Sequence, residues 1–406
     1  MLYPDPQAPD PKPQTMNTRE TEDAYLVPTY TKLPITVVRG EDVYVWDEDG
    51  TKYLDLYAGH AVCGIGHSHP KLVKAISEQA KKLIFYSNAV YNDTRAQAAK
   101  LVCENAYPAS KSVFFCNSGT EANETALKIA RRATGRSRVI AMETGFHGRT
   151  IASLSVTGRQ KLRDDFPDNL GNLTDFVPFG DFDMLEAMMS PEVAAIILEP
   201  ITSVGGVRVA SRKYYESLRE LCSGNGCALI FDEVQTGFGR SGAMFAGLHW
   251  DVEPDITTTA KAAAGGFPIG MVILSDAISQ APAPGEHGCT FGGGPLAMAA
   301  VKANIEIIRD QKLVDNAAAM EVVVRDALGG IPEVLAVTGK GLLLGIELEC
   351  PAKPIAAALI EQKIIVGTSD RPNQLRLLPP LTVKAEHIQQ FADALSVALA
   401  AAKQGA

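Results

Sequence analysis

Lys261 follows Thr258-Thr259-Ala260 and leads into Ala262-Ala263-Ala264-Gly265-Gly266-Phe267-Pro268-Ile269-Gly270. Small neighbours leave such a lysine partly desolvated, and a desolvated ammonium gives up its proton more readily and becomes a nucleophilic amine. A hydrated lysine in a surface loop is the plain alternative. Asp232, in Phe231-Asp232-Glu233-Val234-Gln235-Thr236-Gly237, stands where the apolar run Ala228–Phe231 ends. A carboxylate there stays charged if it meets a cation. A protonated pyridine nitrogen is one such partner, and the pairing keeps the ring an electron sink. A magnesium ligand or a helix cap would use the same residue. Arg376 lies in the apolar, proline-stiffened stretch Leu375-Arg376-Leu377-Leu378-Pro379-Pro380. Its guanidinium either pairs with a structural carboxylate or grips a ligand carboxylate with two parallel hydrogen bonds.

Two segments offer places for an anion. Asn117-Ser118-Gly119-Thr120-Glu121-Ala122-Asn123 follows an apolar run and opens a helical one. Small polar residues at a helix start expose backbone N–H groups, and the helix dipole favours negative charge there. Capping by Ser118 or Thr120 alone explains the same pattern. No G-K-[ST] follows, so the segment is not a P-loop. Gly288-Cys289-Thr290-Phe291-Gly292-Gly293-Gly294-Pro295 is a second loop of this kind, with a plain hinge as its alternative.

These residues need elements to position them. Val43–Trp46 and Tyr53–Leu56 flank Asp47-Glu48-Asp49-Gly50 and predict a hairpin. Beyond residue 70, short apolar runs alternate with helical stretches: Ser112–Cys116, Arg138–Met142, Val193–Leu198, Ala228–Phe231 and Met271–Leu274. That alternation predicts an α/β fold with a mainly parallel sheet covered on both faces. Such sheets place ligands at the carboxyl ends of their strands, where several of these candidates fall. From Pro295 a long helical pattern over Leu296–Arg309, a strand over Gly339–Leu348 and an alanine-rich helix over Ala385–Ala402 predict a smaller C-terminal α/β domain. The expected organisation is a disordered tail over 1–20, a hairpin-bearing segment over 21–69, a large domain over 70–294 and a small domain over 295–406.

Composition narrows the classes. The chain has 406 residues, 46% hydrophobic and 21% charged, the balance of a globular protein of two or three packed units. No apolar run approaches the roughly 18 residues that span a bilayer. A net charge of −9 without a basic block argues against nucleic-acid or anionic-membrane partners. Met1–Arg19 hold five prolines and lack the pattern of a secretory signal. The seven cysteines have no C-x-x-C spacing, so reduced thiols in a cytoplasmic protein are expected, with no disulfide framework and no metal site.

The order of the motifs says more than each alone. Asn117–Asn123, Phe146-His147-Gly148-Arg149-Thr150, Glu199-Pro200-Ile201, Phe231–Gly242, Ala260-Lys261 with Gly265–Gly270, Thr290–Pro295 and Leu375–Pro380 together resemble class III aminotransferases. The resemblance spans about residues 25 to 400. Gly40–Leu56, Gly66–Pro70, Gly339–Leu348 and Leu375–Leu381 look most like acetylornithine aminotransferases. It implies a fold type I pyridoxal 5'-phosphate (PLP) enzyme that acts as a homodimer with its active sites at the interface. It also implies roles. Lys261 would carry the cofactor as a Schiff base and move the reaction's proton, while Asp232 would meet the pyridine nitrogen. Val234 and Phe146, beside His147, would line the two ring faces, and Gln235 would reach the ring hydroxyl. Gly119, Thr120 and nearby Ser118 would hold the phosphate, joined by Thr290 of the partner subunit. Glu199 would be the supporting acid. Arg376 would bind the α-carboxylate of glutamate or 2-oxoglutarate, and Arg149 with Tyr30 the carboxylate end of an ornithine-like donor.

One departure bears on the substrate. The family usually reads E-P-I-Q-[GS]-E-G-G where this chain has Glu199-Pro200-Ile201-Thr202-Ser203-Val204-Gly205-Gly206. The family's second glutamate, which pairs with the carboxylate-binding arginine while an ω-amino donor is bound, falls on Val204. The resemblance thus implies transfer from an ornithine-like or other ω-amino donor to 2-oxoglutarate or pyruvate. A PLP-dependent lyase or decarboxylase on the same scaffold is the alternative.

Overall fold

The computed structural model describes residues 16–166 and 171–404. Most of the expected disordered tail lies outside the described residues, but its end is ordered: Thr18–Tyr25 form a helix. Asn17 caps the Glu20 N–H, and the Glu20 carboxylate returns to the Asn17 N–H, a capping box that satisfies two otherwise orphaned donors. Three short strands follow, β1 (Val37–Glu41), β2 (Tyr44–Asp47) and β3 (Lys52–Asp55), paired antiparallel in order. The turn between β2 and β3 is tied by Asp47 Oδ1, which accepts from the N–H groups of Asp49 and Thr51 at 3.1 and 2.8 Å.

The central sheet has seven strands: β4 (Ser110–Cys116), β5 (Arg138–Met142), β6 (Thr174–Val177), β7 (Val193–Leu198), β8 (Ala228–Asp232), β9 (Ile256–Thr259) and β10 (Gly270–Ser275). Their order is β4-β10-β9-β8-β7-β5-β6. Only β10 runs against the others. Every residue of β7, β8 and β10 is buried, as unbroken apolar runs require when helices cover both faces. The helices Gly119–Thr134 and Arg212–Asn225 both end on left-handed glycines, Gly135 and Gly226, which close the last turn without a Cβ penalty.

Two strands carried no clear apolar signal. One is β6; the other, β9, reads Ile-Thr-Thr-Thr and is wholly buried. Its β-branched threonines suit a strand, and two of their hydroxyls are satisfied internally: Thr258 Oγ1 donates to Asn123 Oδ1 at 2.7 Å and Thr259 Oγ1 to the Glu233 carbonyl at 3.4 Å.

The C-terminal part holds the helices Pro295–Asp310, Leu313–Leu328, Ala352–Glu361 and Ala385–Gln404 around a second sheet. There the reading of Gly339–Leu348 as one strand is corrected. It is a hairpin of β11 (Val334–Lys340) and β12 (Leu343–Leu348). Gly341 turns the chain at φ +57, where any Cβ would fall 2.3 Å from the Ser241 carbonyl carbon. Two short strands, β13 (Ile364–Ile365) and β14 (Gly367–Thr368), precede β15 (Gln374–Leu377), which pairs with β12. β13 joins β3 in parallel, so the N-terminal hairpin and the C-terminal part share one sheet. No described helix is long and apolar enough to cross a membrane.

Candidate active site

β4, β5, β7, β8 and β9 run the same way, so the segments leaving them meet at one end of the sheet. These segments carry Ser118, His147, Glu199, Asp232 and Lys261. Asp232 is the register partner of Thr258 on the neighbouring strand, which sets Lys261 three residues beyond it.

Asp232 is almost fully buried, yet no oxygen lacks a partner. Its Oδ2 accepts from Asn123 Nδ2 at 2.7 Å and lies 2.7 Å from His147 Nδ1; its Oδ1 accepts from the Val234 N–H at 3.0 Å. These contacts fix the carboxylate's orientation and leave neither oxygen unsatisfied. Lys261 is half-buried and opens a short 3₁₀ turn. Burial lowers its ammonium to about 8, and the Arg376 charge adds to this against the opposing pull of Asp232 and Glu199. Burial, reinforced by the Asp232 charge, pushes Glu199 up to about 7, and its carboxyl accepts from the Phe146 N–H at 3.4 Å.

Among the described residues, the helix Gly119–Thr134 starts with free donors. Its first turn bonds Ala122 N–H to Ser118 O at 3.1 Å, and the Ser118 hydroxyl caps Glu121. That leaves the N–H groups of Gly119 and Thr120 for an anion. Thr120 Oγ1 lies 2.9 Å from Thr150 Oγ1 and 2.6 Å from Ser153 Oγ. The lack of a side chain at Gly119 lets Val234 pack closely, because a Cβ there would meet both Val234 methyls at 3.0 Å. An anion cradle, a buried carboxylate fit for a protonated ring nitrogen and a readily deprotonated amine form a donor set that suits a phosphorylated pyridine aldehyde.

Arg376, on β15, is buried, and among the described residues its hydrogen bonds go to neutral groups. Its Nε donates to Thr368 O at 2.8 Å, Nη1 to Ser203 Oγ at 3.0 Å and Nη2 to the Tyr57 hydroxyl. Ser203 Oγ in turn donates to Gln235 Oε1, which links the arginine to the segment after β8. Val204 brings no charge to this cluster.

The remaining expected residues stand apart. Arg149 is exposed, its guanidinium 5.7 Å from the Phe146 ring centroid. Tyr30 is 75% exposed and shares no hydrogen bond with the cluster. Thr290 is also exposed, although its neighbour Cys289 accepts from Asn117 Nδ2 through sulfur at 3.1 Å. Three residues without an expected role belong to the site: Asn123, Ser203 and Tyr57. Asn123 had a readable signal, since an amide between Ala122 and Ala126 on a buried helix face needs polar partners. Tyr57 had none. It precedes a left-handed turn, Ala58–Ala61, and it reaches Arg376 across 319 positions of sequence.

Comparison with known proteins agrees with this geometry. The family model described as aminotransferase class-III matches residues 25–399. The acetylornithine aminotransferase of Methanothermobacter thermautotrophicus is 42% identical over 93% of this chain and 96% of its own length. The [LysW]-aminoadipate semialdehyde transaminase of Deinococcus radiodurans is 40% identical over 91% and 87%. Among solved structures, acetylornithine aminotransferase from Elizabethkingia anophelis superposes with a TM-score of 0.83 at 30% identity, covering 94% of this chain and 98% of that one.

Proposed function

This chain belongs to the class III aminotransferases, of fold type I, and from that premise we propose that it moves an amino group from an ornithine-like or other ω-amino donor to 2-oxoglutarate or pyruvate. The family implies PLP as cofactor. When bound, PLP supplies an aldehyde that captures amines and a ring that accepts electrons. The protein's part is to anchor, orient and move protons. Lys261 offers the anchoring amine, and its Nζ takes a proton from the carbon beside the reacting nitrogen and returns it. Asp232, held by Asn123 and His147, would pair with the ring nitrogen. Ser118, Gly119 and Thr120 would hold the phosphate, with Thr290 of the partner subunit in a homodimer. Val234 and Phe146 would line the ring, Gln235 would reach its hydroxyl and Glu199 would support the cluster. Arg376 grips a substrate carboxylate, and Arg149 with Tyr30 the far end of the donor. A cytoplasmic location fits this role.

The observation that carries the reading is the delivery of Lys261 and Asp232 by adjacent parallel strands to the end where a helix presents free N–H groups. Adding L-glutamate, L-alanine or ornithine to the holoenzyme is expected to replace its visible cofactor band with near-ultraviolet absorbance. No change with any of the three removes the aminotransferase reading.

Arg376 bears on the donor. A buried guanidinium hydrogen-bonded to neutral groups, with Glu199 and Asp370 acting on it only through space, keeps a strong attraction for a carboxylate. Bare amine ends that approach Arg376 therefore meet a cation without a bonded carboxylate, which favours ω-amino donors that keep clear of it. Val204→Glu is expected to raise kcat/KM for ω-amino donors about tenfold relative to glutamate; an unchanged donor profile refutes the argument.

A further inference from the structure

A second basic recess lies behind the substrate arginine, outside the site described above. A cavity of about 570 Å³ opens between the loop Gly206–Ala210 on one side and, on the other, the helix Leu313–Leu328, the end of β11 and Arg371. Its charged lining is four cations, Arg208, Arg325, Lys340 and Arg371, against one carboxylate, Glu321. Two of the cations are already matched. Arg325 donates twice to Glu321 Oε1, at 3.0 and 2.8 Å, and Arg371 pairs with Glu347. Arg208 and Lys340 have no acidic partner among the described residues. Two uncompensated charges thus face one recess of small-molecule size. We propose that this recess binds a small dianion, a dicarboxylate or a phosphate, and that its occupancy is felt at Arg376.

The coupling follows from a shared loop. Ser203 accepts from Arg376 on the active-site side, while Gly206, Val207 and Arg208, next along the chain, wall the cavity. Gly206 N–H bonds to Ser203 O at 3.3 Å, and Gly206 O accepts from Gln374 Nε2 at 3.1 Å, two residues before Arg376. The loop has no slack. A Cβ on Gly206 would fall 2.6 Å from Arg371 Cδ, and one on Gly339 would fall 2.8 Å from Val207 Cγ1. Val207 is held at φ +44, an uncommon conformation for a β-branched residue, kept only because its surroundings over-determine it. The buried Gln374 Oε1 has no hydrogen-bond partner among the described residues. A dianion drawing Arg208 toward Lys340 shifts this loop, and with it the Ser203 hydroxyl that seats the arginine.

Calorimetric titration of the holoenzyme with inorganic phosphate and, separately, malonate tests the binding without any turnover. One saturable site per chain is expected for at least one of them. Arg208→Ala with Lys340→Ala should weaken it tenfold or more, whereas Arg376→Lys, which disables the substrate carboxylate site, should leave it unchanged. Binding lost in Arg376→Lys but kept in the double variant overturns the proposal, as does no saturable binding of either anion. The coupling rests on the aminotransferase reading and has its own readout. The saturating anion should change the KM for glutamate at least threefold in the wild type and not in the double variant. Binding with no such difference refutes the coupling.

Discussion

Lys261 is unusual in its backbone as well as its side chain. Its φ of +42 lies in the left-handed region that non-glycine residues rarely adopt, at the point where β9 gives way to a 3₁₀ turn. Strain of this kind persists where surrounding structure imposes it, and here it falls at the residue whose ammonium feels both Asp232 and Glu199. With the ammonium lowered to about 8, the neutral amine dominates above that pH rather than above its ordinary 10.5. The rate at which apoenzyme reconstitutes with PLP should therefore rise with pH, pass half-maximum near 8 and level off about a unit higher. A rate still climbing at pH 10 would contradict it. Lys261→Ala should abolish the visible band and lower turnover at least about a thousandfold, the range expected when a proton-transfer group is lost. Glu199 provides a separate check. Its folded-state pKa of about 7 lies above its ordinary 4.5, so the folded state holds its proton longer than the unfolded chain. Stability should fall as pH rises from about 4.5 to 7, by on the order of 3 kcal/mol, and Glu199→Gln should flatten that slope in urea unfolding of the apoenzyme.

Among the elements, the loop after β5 and the helix Gly119–Thr134 are packed too closely to admit side chains. Gly148 has φ +140, and a Cβ on it would lie 2.2 Å from Thr120 Oγ1 and 2.4 Å from Ser153 Oγ. Gly148→Ala must displace the hydroxyls that flank the helix start. Its expected effect is at least a tenfold loss of PLP affinity in equilibrium dialysis, with a smaller change in secondary structure. The helix itself was legible from Asn117–Asn123, because a cap, small residues and an apolar stripe are local signals. β9 was not legible as a strand, because three threonines look polar until the sheet buries them and Asn123 and the Glu233 carbonyl satisfy two of their hydroxyls. The hairpin at Gly341 was read as one strand for a related reason: the close approach of Ser241 that requires a glycine turn comes from a distant part of the chain.

At the scale of the molecule, exposed apolar side chains gather in two stretches, Leu83, Ile84, Tyr86, Val90 and Tyr91, and Leu26, Val27 and Tyr30. Phe291, 65% exposed, packs its ring 5.2 Å from Phe85, which places the Thr290 loop beside the first of them. A surface of this kind fits the proposed homodimer. Sedimentation should give twice the chain's 43.3 kDa, and Thr290→Ala should weaken PLP retention without dissociating the particle. A monomer that retains full PLP affinity would remove Thr290 of the partner subunit from the phosphate site.

The amino-acid order by itself named the candidate groups and the alternating architecture, since these rest on local residue types and strand-length runs, while the proposed roles of Lys261, Asp232 and the Asn117–Asn123 cradle came from the order of the motifs taken together. The tertiary structure alone decided what surrounds them. Asp232 meets Asn123 and His147 from 109 and 85 positions away, and Arg376 meets Tyr57 and Ser203 from 319 and 173. Burial is likewise collective: Lys261 becomes a weak base only when the packed chain strips its water. Contacts and desolvation of this kind depend on which distant segments pack together, and no local stretch of sequence contains that information.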